Sequence, residues 1–409
     1  MHILFVSDNF PPEVNAPSNR TFEHCKQWVK AGAKVTVVTG VPNFPSGKVF
    51  KGYRNKLWQT EKINDIDVFR VWTFIYPNKG FIGRIIDYMS FMGTSFLISF
   101  FIKKVDIVVG TSPQFFTVCS ARMIGLCKRI PWIFELRDLW PDSIVAVGAM
   151  RKRKIFYLLK KIEYSLYRSS SAIVAVTETF KDHLVRTGVD GNKISVVKNG
   201  VDVSTVIKSS DSLRLKRQLG IEGKFIVGYI GTLGLAHGLD TLVWAAKMLQ
   251  NDSSAKDIKI LIMGDGAEKL TLSSLAKKFN LRNILFVDTV PRNVVFEYIS
   301  MLDLGVVHLK NQTIFRGVIP SKIFEYMAIG IPILHGVPGE SADIIISERS
   351  GITFEPENPK DLCEKILFLK NSPKQLKEFS RFCFEGARKY DRRVLAIKML
   401  RVMQEIVEK

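Results

Sequence analysis

"IFRGVIPSKIFEYMAIGIPIL", residues 314–334, reads as a loop, a short helix, a tight stop and a strand. Apolar Ile323, Phe324, Met327 and Ala328 give the segment a helical face; Pro320 suits its opening and Gly330 its end before the strand-like "IPIL". Nothing in that pattern needs an acid, yet Glu325 stands three residues after Lys322. On a helix the two share a face near the N-terminus, where free amides and the dipole favour an anion. Two readings stay open: a solvated ion pair on an exposed helix end, or a ligand site with a cation for phosphate and a carboxylate for sugar hydroxyls.

Outward from that stretch, strand-like apolar runs alternate with helix-length segments. The second half gives "FIVGYIGT", "IKILIMGDG", "NILFVDTV" and "LGVVHL", separated by helical segments near 239–250, 266–279 and 292–301. The first half gives "HILFVS", a helix over 18–31, "KVTVVTG", "VDIVVGTS", "PWIFEL", "AIVAVT" and "ISVVKNG". Such alternation predicts parallel sheets with crossover helices, in two doubly wound domains. The join is expected near "KNGVD", 198–202, giving domains over 1–200 and 201–385, with a last helix over 386–409 packing back on the first domain. "KLWQTEKINDIDVFRVWTF" (56–74) reads as an inserted hairpin turning at Asn64 and Asp65.

The chain has 409 residues, 46% apolar and 24% charged, which suits two globular cores. Its net charge of +20 is uneven, with 29 Lys/Arg against 15 Asp/Glu in residues 1–200 and 30 against 24 in the rest. That surplus fits nucleic acid, anionic lipid or phosphorylated ligands alike. No RNP-like or helix-turn-helix pattern supports nucleic acid. The five cysteines are scattered without zinc-ligand spacing, and the first apolar run is too short for a signal peptide, so a cytoplasmic chain is expected. The apolar segment 85–104 carries Asp87, Ser90, Gly93, Thr94, Ser95 and Ser99, which argues for a buried or membrane-docked helix rather than a span. The basic amphipathic segment 151–168 suits an anionic membrane surface, so peripheral attachment to the inner face of the membrane is expected.

In open parallel sheets, ligands bind outside the carboxyl ends of the strands. "GYIGTLGLAHGLDTL" (228–242) supplies Gly231, Thr232, Gly234 and Gly238 for close backbone approach to phosphate, with His237 as a donor or a surface histidine. "IMGDG" supplies Gly264, Asp265 and Gly266, and "VPR" supplies Val290, Pro291 and Arg292 beside a base edge. In the first domain, Glu13, Asn15 and Asn19 follow the first strand, and Arg137 and Asp138 close another; the latter two read as a substrate contact or an internal salt bridge. The D-x-D of Asp65 and Asp67 lies in the hairpin turn and reads as a solvated loop, so no metal is assigned.

Taken together, "FPPE", "NGVD", "GDG", "VPR" and "PSKIFEYMAIGIPIL" resemble, in order and over the whole chain, the retaining GT-B glycosyltransferases of family 4. "PNFPSGKVFKGYRNKLWQ" and "ELRDLWPDS" are similar to the N-acetyl-L-fucosaminyltransferases of O-antigen and capsule synthesis. The resemblance implies two Rossmann-like domains facing a cleft, and transfer from a UDP-sugar, without metal or other cofactor, to a polyprenyl-diphosphate-linked saccharide. It implies that Glu325 accepts the ribose hydroxyls and that Ser321 belongs to the donor site. The family's two glutamates are separated by seven residues; eight positions before Glu325 stands Gly317, so the sugar-reading glutamate is missing. An altered donor sugar, or a contact from Arg316 or the Gly317 amide, would account for this. His237 stands where a family cation is usual, so Arg316 and Lys322 are expected to carry the diphosphate charge, and Asp138 to orient acceptor or donor sugar. The rival activities are epimerisation of a free nucleotide sugar within the same architecture, and nucleic-acid binding.

Overall fold

The computed structural model describes residues 1–44, 46–76, 81–146, 153–206 and 212–408. It divides into an N-terminal unit, Met1–Lys198 with Arg392–Lys409, and a C-terminal unit, Asn199–Asp391.

The N-terminal unit is built on an eight-stranded sheet. Its strands are β1 (His2–Val6), β2 (Lys34–Gly40), β3 (Trp58–Ile63), β4 (Ile66–Val71), β5 (Ile107–Thr111), β6 (Trp132–Leu136), β7 (Ala172–Ala175) and β8 (Ile194–Val196), in spatial order β3-β4-β2-β1-β5-β6-β7-β8. β1, β5 and β6 are buried along their whole length, as continuous apolar runs in a covered parallel sheet must be. The 58–71 hairpin is antiparallel within itself, with β4 running parallel to β2. Asn64 (φ 48°) and Asp65 (φ 63°) take the two left-handed positions of its turn, the conformation that matches strand twist. Asp65 and Asp67 lie beside Lys62 and Lys34 on this exposed edge.

Helix Arg392–Val407 packs on helix Ala16–Lys30: Trp28 Nε1 donates to Ala396 O at 2.8 Å, Arg392 pairs with Glu23, and Ala396, Met399, Leu400 and Met403 enter the first core. The chain crosses back at Asp391–Arg392, six residues later than the 386 expected from sequence. The reason is packing: helix Pro373–Ala387 stays in the C-terminal unit, where Phe384 covers Gly330 and Met327 covers Gly386.

The C-terminal unit has six parallel strands, β9 (Phe225–Ile230), β10 (Ile258–Met263), β11 (Ile284–Val287), β12 (Leu304–His308), β13 (Ile333–Gly336) and β14 (Gly351–Thr353), in the order β11-β10-β9-β12-β13-β14. The strand order reverses between β9 and β12, so the turns leaving those two strands flank a switch-point crevice. In the N-terminal unit the reversal lies between β1 and β5.

The apolar segment forms helix Phe81–Ser99, which buries Phe91, Ser95, Ile98 and Ser99 and exposes Ile86, Met89 and Leu97. The basic segment forms helix Arg153–Ser169, burying Leu159, Leu166 and Tyr167 and exposing Tyr157 and Leu158. Arg151 and Lys152 lie outside the described residues. Among the described residues, no helix is long and apolar enough to cross a membrane.

Candidate active site

In the C-terminal unit, two glycine turns interlock at the carboxyl ends of β9 and β10. Gly231 N donates to Met263 O, Leu233 N to Asp265 O, and Gly264 N to Val287 O. Gly231, Gly264 and Gly266 have φ of 146°, 148° and 153°, where side chains are strained. A Cβ on Gly266 would come within 2.4 Å of Leu233 O. Tyr229 sits beneath the first turn, fully buried, its hydroxyl donating to Thr232 O at 2.8 Å.

Over these turns lies helix Lys322–Ile329, which opens after Pro320 and stops at Gly330, φ 81°. Ile323, Phe324, Tyr326, Met327 and Ile329 fill its buried face. The Tyr326 ring takes the space a side chain on Gly305 would need, and its hydroxyl accepts the Ile230 N–H at 3.1 Å, tying the helix to the end of β9. One turn earlier, Lys322 reaches under the glycine turn: its Nζ is 3.3 Å from the centre of the Tyr229 ring. A Cβ on Gly231 would be 3.0 Å from it. That Nζ is buried and has no hydrogen-bond partner among the described residues. Burial holds it well below the usual lysine range, with Glu325 partly offsetting the effect. A solvated ion pair on an exposed helix end is thereby excluded. What remains is a buried amine without a hydrogen-bond acceptor, a carboxylate one turn on, and a backbone cradle: the parts of a phosphate-and-hydroxyl site.

His237 is not a surface residue. It lies in a single helical turn (Leu235–His237), and burial together with Lys322 pushes its imidazole down to about 3. It is therefore neutral, and a hydrogen bond from Nδ1 to Gly234 O (3.3 Å) leaves Nε2 an acceptor. His308 holds the same turn, donating from Nδ1 to His237 O (2.7 Å) while its Nε2 accepts the Glu357 N–H (2.9 Å). Arg316 is exposed at the end of the turn Thr313–Gly317, in which Gly317 is buried. Ser321 precedes the helix as its cap residue. Asp265 takes the Gly266 N–H. Val290 and Pro291 lead into helix Arg292–Ser300; the side chain of Arg292 lies outside the described residues.

At the carboxyl edge of the N-terminal sheet, the predicted polar residues have local duties as well. Glu13 is buried and accepts the Asn43 and Phe44 N–H groups at 2.9 and 2.8 Å; burial still pushes it up to about 7. Asn15 caps helix Ala16–Lys30 by accepting Ser18 N–H, and Asn19 N closes its first turn onto Asn15 O. Asp138 accepts the Ser143 hydroxyl at 2.9 Å and is pushed up to about 6 by burial. Arg137 and Asp138 form no ion pair: Arg137 instead donates from Nη2 to Ala16 O at 3.3 Å. Sequence reading missed Asp8 and Asp87, which burial raises to about 6 and about 7, and whose charges act on each other and on Glu13. It also missed Tyr229 and Tyr326, although a tyrosine next to a strand-end glycine turn was the visible signal for the first.

Residues 18–205 match the model of Glycosyltransferase Family 4, and residues 211–383 that of Glycosyl transferases group 1. The two matches, one on each half of the chain, support a glycosyltransferase. WcaI of Escherichia coli, named for colanic acid biosynthesis, is 23% identical over 347 residues, 81% of this chain and 82% of that one. A Mycobacterium tuberculosis protein named as a GDP-mannose-dependent alpha-mannosyltransferase is 22% identical over 86% of this chain and 83% of its own. Sucrose-phosphate synthase from Thermosynechococcus elongatus superposes with a TM-score of 0.77 at 15% identity, covering 99% and 98% of the two chains. HepE of Anabaena, in complex with UDP and glucose, superposes with a TM-score of 0.74 at 14% identity, covering 99% and 100%. At such identities the structures speak for the fold alone: two Rossmann-like α/β units, as in GT-B glycosyltransferases.

For this glycosyltransferase, the family assignment and the geometry meet at one place. The group 1 model spans both glycine turns, the turn at 290–292 and the Lys322 helix. The structure brings Gly231, Thr232, His237, Gly264, Gly266 and Lys322 together around the β9 end; Glu13, Asn15, Asn19, Arg137 and Asp138 belong to the other unit.

Proposed function

We propose that this glycosyltransferase retains configuration and moves a sugar, N-acetyl-L-fucosamine or a related residue, from a UDP-sugar to a lipid-linked saccharide in surface polysaccharide assembly. The observation that carries the donor reading is the buried Lys322 Nζ, without a partner beneath the Gly231 turn, with Glu325 one helical turn away. A donor diphosphate supplies the missing anion, and Glu325 accepts the ribose hydroxyls. Lys322, Arg316 and the turn amides stabilise the charge that develops on the leaving diphosphate, with no metal. A leaving phosphate oxygen takes the acceptor hydroxyl's proton as the new glycosidic bond forms. The name of WcaI supports a polysaccharide product, and the UDP held by HepE supports the nucleotide.

Ile86, Met89, Leu97, Phe100 and Phe101 are exposed beside Lys103 and Lys104, which suits a peripheral membrane enzyme acting on a lipid-linked acceptor.

A panel of UDP- and GDP-sugars, scored by thermal stabilisation with and without EDTA, tests the donor reading. A bound donor at 100 times its Kd adds about 2.7 kcal/mol. The reading requires a UDP-sugar among the stabilisers and no effect of EDTA; stabilisation by GDP-sugars alone overturns the nucleotide, and stabilisation by none overturns the donor site.

A further inference from the structure

A cluster of buried charges lies where β6 ends in the N-terminal unit, and its charges do not balance. Arg20 pairs with Glu135 at 2.9 Å and also donates to Val197 O and Lys198 O. Arg392 pairs with Glu23. Arg137, the third guanidinium, feels Glu135, Arg20 and Arg392, yet no carboxylate among the described residues lies within ion-pair reach of it. Its Nε and Nη1 are buried without any hydrogen-bond partner, and only Nη2 is used, on Ala16 O. A buried guanidinium with two idle donors is costly unless an anion completes it.

Place and neighbours point the same way. The backbone of Arg137 is fixed by the Ser112 hydroxyl, which accepts its N–H at 2.8 Å. Ala16 follows β1, Ser112 follows β5 and Arg137 follows β6, so three loops meet beside the β1/β5 switch point, where a doubly wound sheet binds its ligand. Ala16 is exposed and opens a fifteen-residue helix, whose positive end faces this rim. In that helix Ser18 and Thr21 bury hydroxyls that also lack partners.

We infer that Arg137 is the anion-binding residue of the acceptor site and takes a phosphate of a phosphorylated acceptor, against the start of helix Ala16–Lys30. The inference rests on the glycosyltransferase reading and specifies what the acceptor must carry. Its source is either the diphosphate of an isoprenoid-linked saccharide or a soluble sugar phosphate, and the two share the chemistry Arg137 recognises.

Titration calorimetry of the full chain, with UDP saturating the nucleotide site, decides it. The probes are farnesyl diphosphate, glucose 1-phosphate and farnesol. Wild type is expected to bind a phosphorylated probe, and Arg137→Gln to bind it about tenfold more weakly or worse. Tighter binding of farnesyl diphosphate marks a lipid-linked acceptor; equal binding of glucose 1-phosphate marks a soluble one. Equal binding of farnesol, or unchanged binding by Arg137→Gln, overturns the proposal. UDP affinity of Arg137→Gln is the folding control, and if that variant does not fold, the wild-type contrast between farnesyl diphosphate and farnesol decides alone. If UDP itself fails to bind wild type, it is the donor reading that falls.

Discussion

The Nζ of Lys322 stands 3.3 Å from the centre of the Tyr229 ring, with no hydrogen-bond acceptor around it. An amine in that position gains from the ring face but loses its hydration, and burial holds it well below the usual lysine range. A donor diphosphate changes the balance by supplying negative charge, so nucleotide binding should draw a proton onto Lys322. The sign follows: the complex holds more protons than the empty site, so UDP affinity falls as pH rises from the depressed empty-site pKa towards that of the complex. Calorimetry in buffers of different ionisation enthalpy should register proton uptake, and Lys322→Ala should lose both the uptake and roughly 1.5–3 kcal/mol of UDP binding. A pH-independent Kd with no proton uptake would contradict it.

Gly264 tests how tightly the two glycine turns are locked. A Cβ there would be 1.8 Å from Gly231 O, on a backbone at φ 148°. Gly264→Ala is expected to cost on the order of 2–4 kcal/mol in chemical denaturation and to abolish UDP binding. Gly220→Ala, at φ 65° with open space around it, should cost only about 1 kcal/mol and leave UDP binding alone.

Glu325 should be read through the sugar of the nucleotide. Wild type is expected to prefer UDP over 2′-deoxy-UDP, and Glu325→Ala to weaken UDP by about tenfold while leaving the deoxy analogue nearly unaffected. Equal losses for both nucleotides would remove the ribose clamp.

Glu13 offers a check by pH on stability. Its folded carboxyl is raised to about 7, above its ordinary 4.5, so the folded state binds the extra proton and the carboxylate's burial cost appears as pH rises between those values. Glu13→Gln keeps an acceptor for the Asn43 and Phe44 amides without that cost. Its melting temperature relative to wild type should therefore climb from pH 5 to pH 8, by an amount worth up to about 2 kcal/mol. A difference that stays constant across that range would show that Glu13 is not desolvated as described.

Much of this molecule is written locally. The 64–65 turn follows from Asn-Asp between alternating strands, and the 322–329 helix from its apolar period, with Gly330 at φ 81° ending it. The alternation of buried strands with helices needs only the periods 2.0 and 3.6, which short stretches display. The group 1 motifs are legible for the same reason, since each is a few residues at one strand end.

The use made of the charges is different. Lys322 and Glu325 at spacing three fit a surface ion pair as well as a site. What decides between them is Tyr229, ninety-three positions earlier, which places a ring and a glycine turn where water would have been. His237 reads as a surface donor until β12 brings His308 against its carbonyl. Arg137 and Asp138, adjacent in sequence, part company because Ala16 O and Ser143 claim them. Secondary structure and family thus lay within reach of the sequence. The state of each buried charge was decided by tertiary packing, because desolvation depends on atoms contributed by segments far away along the chain.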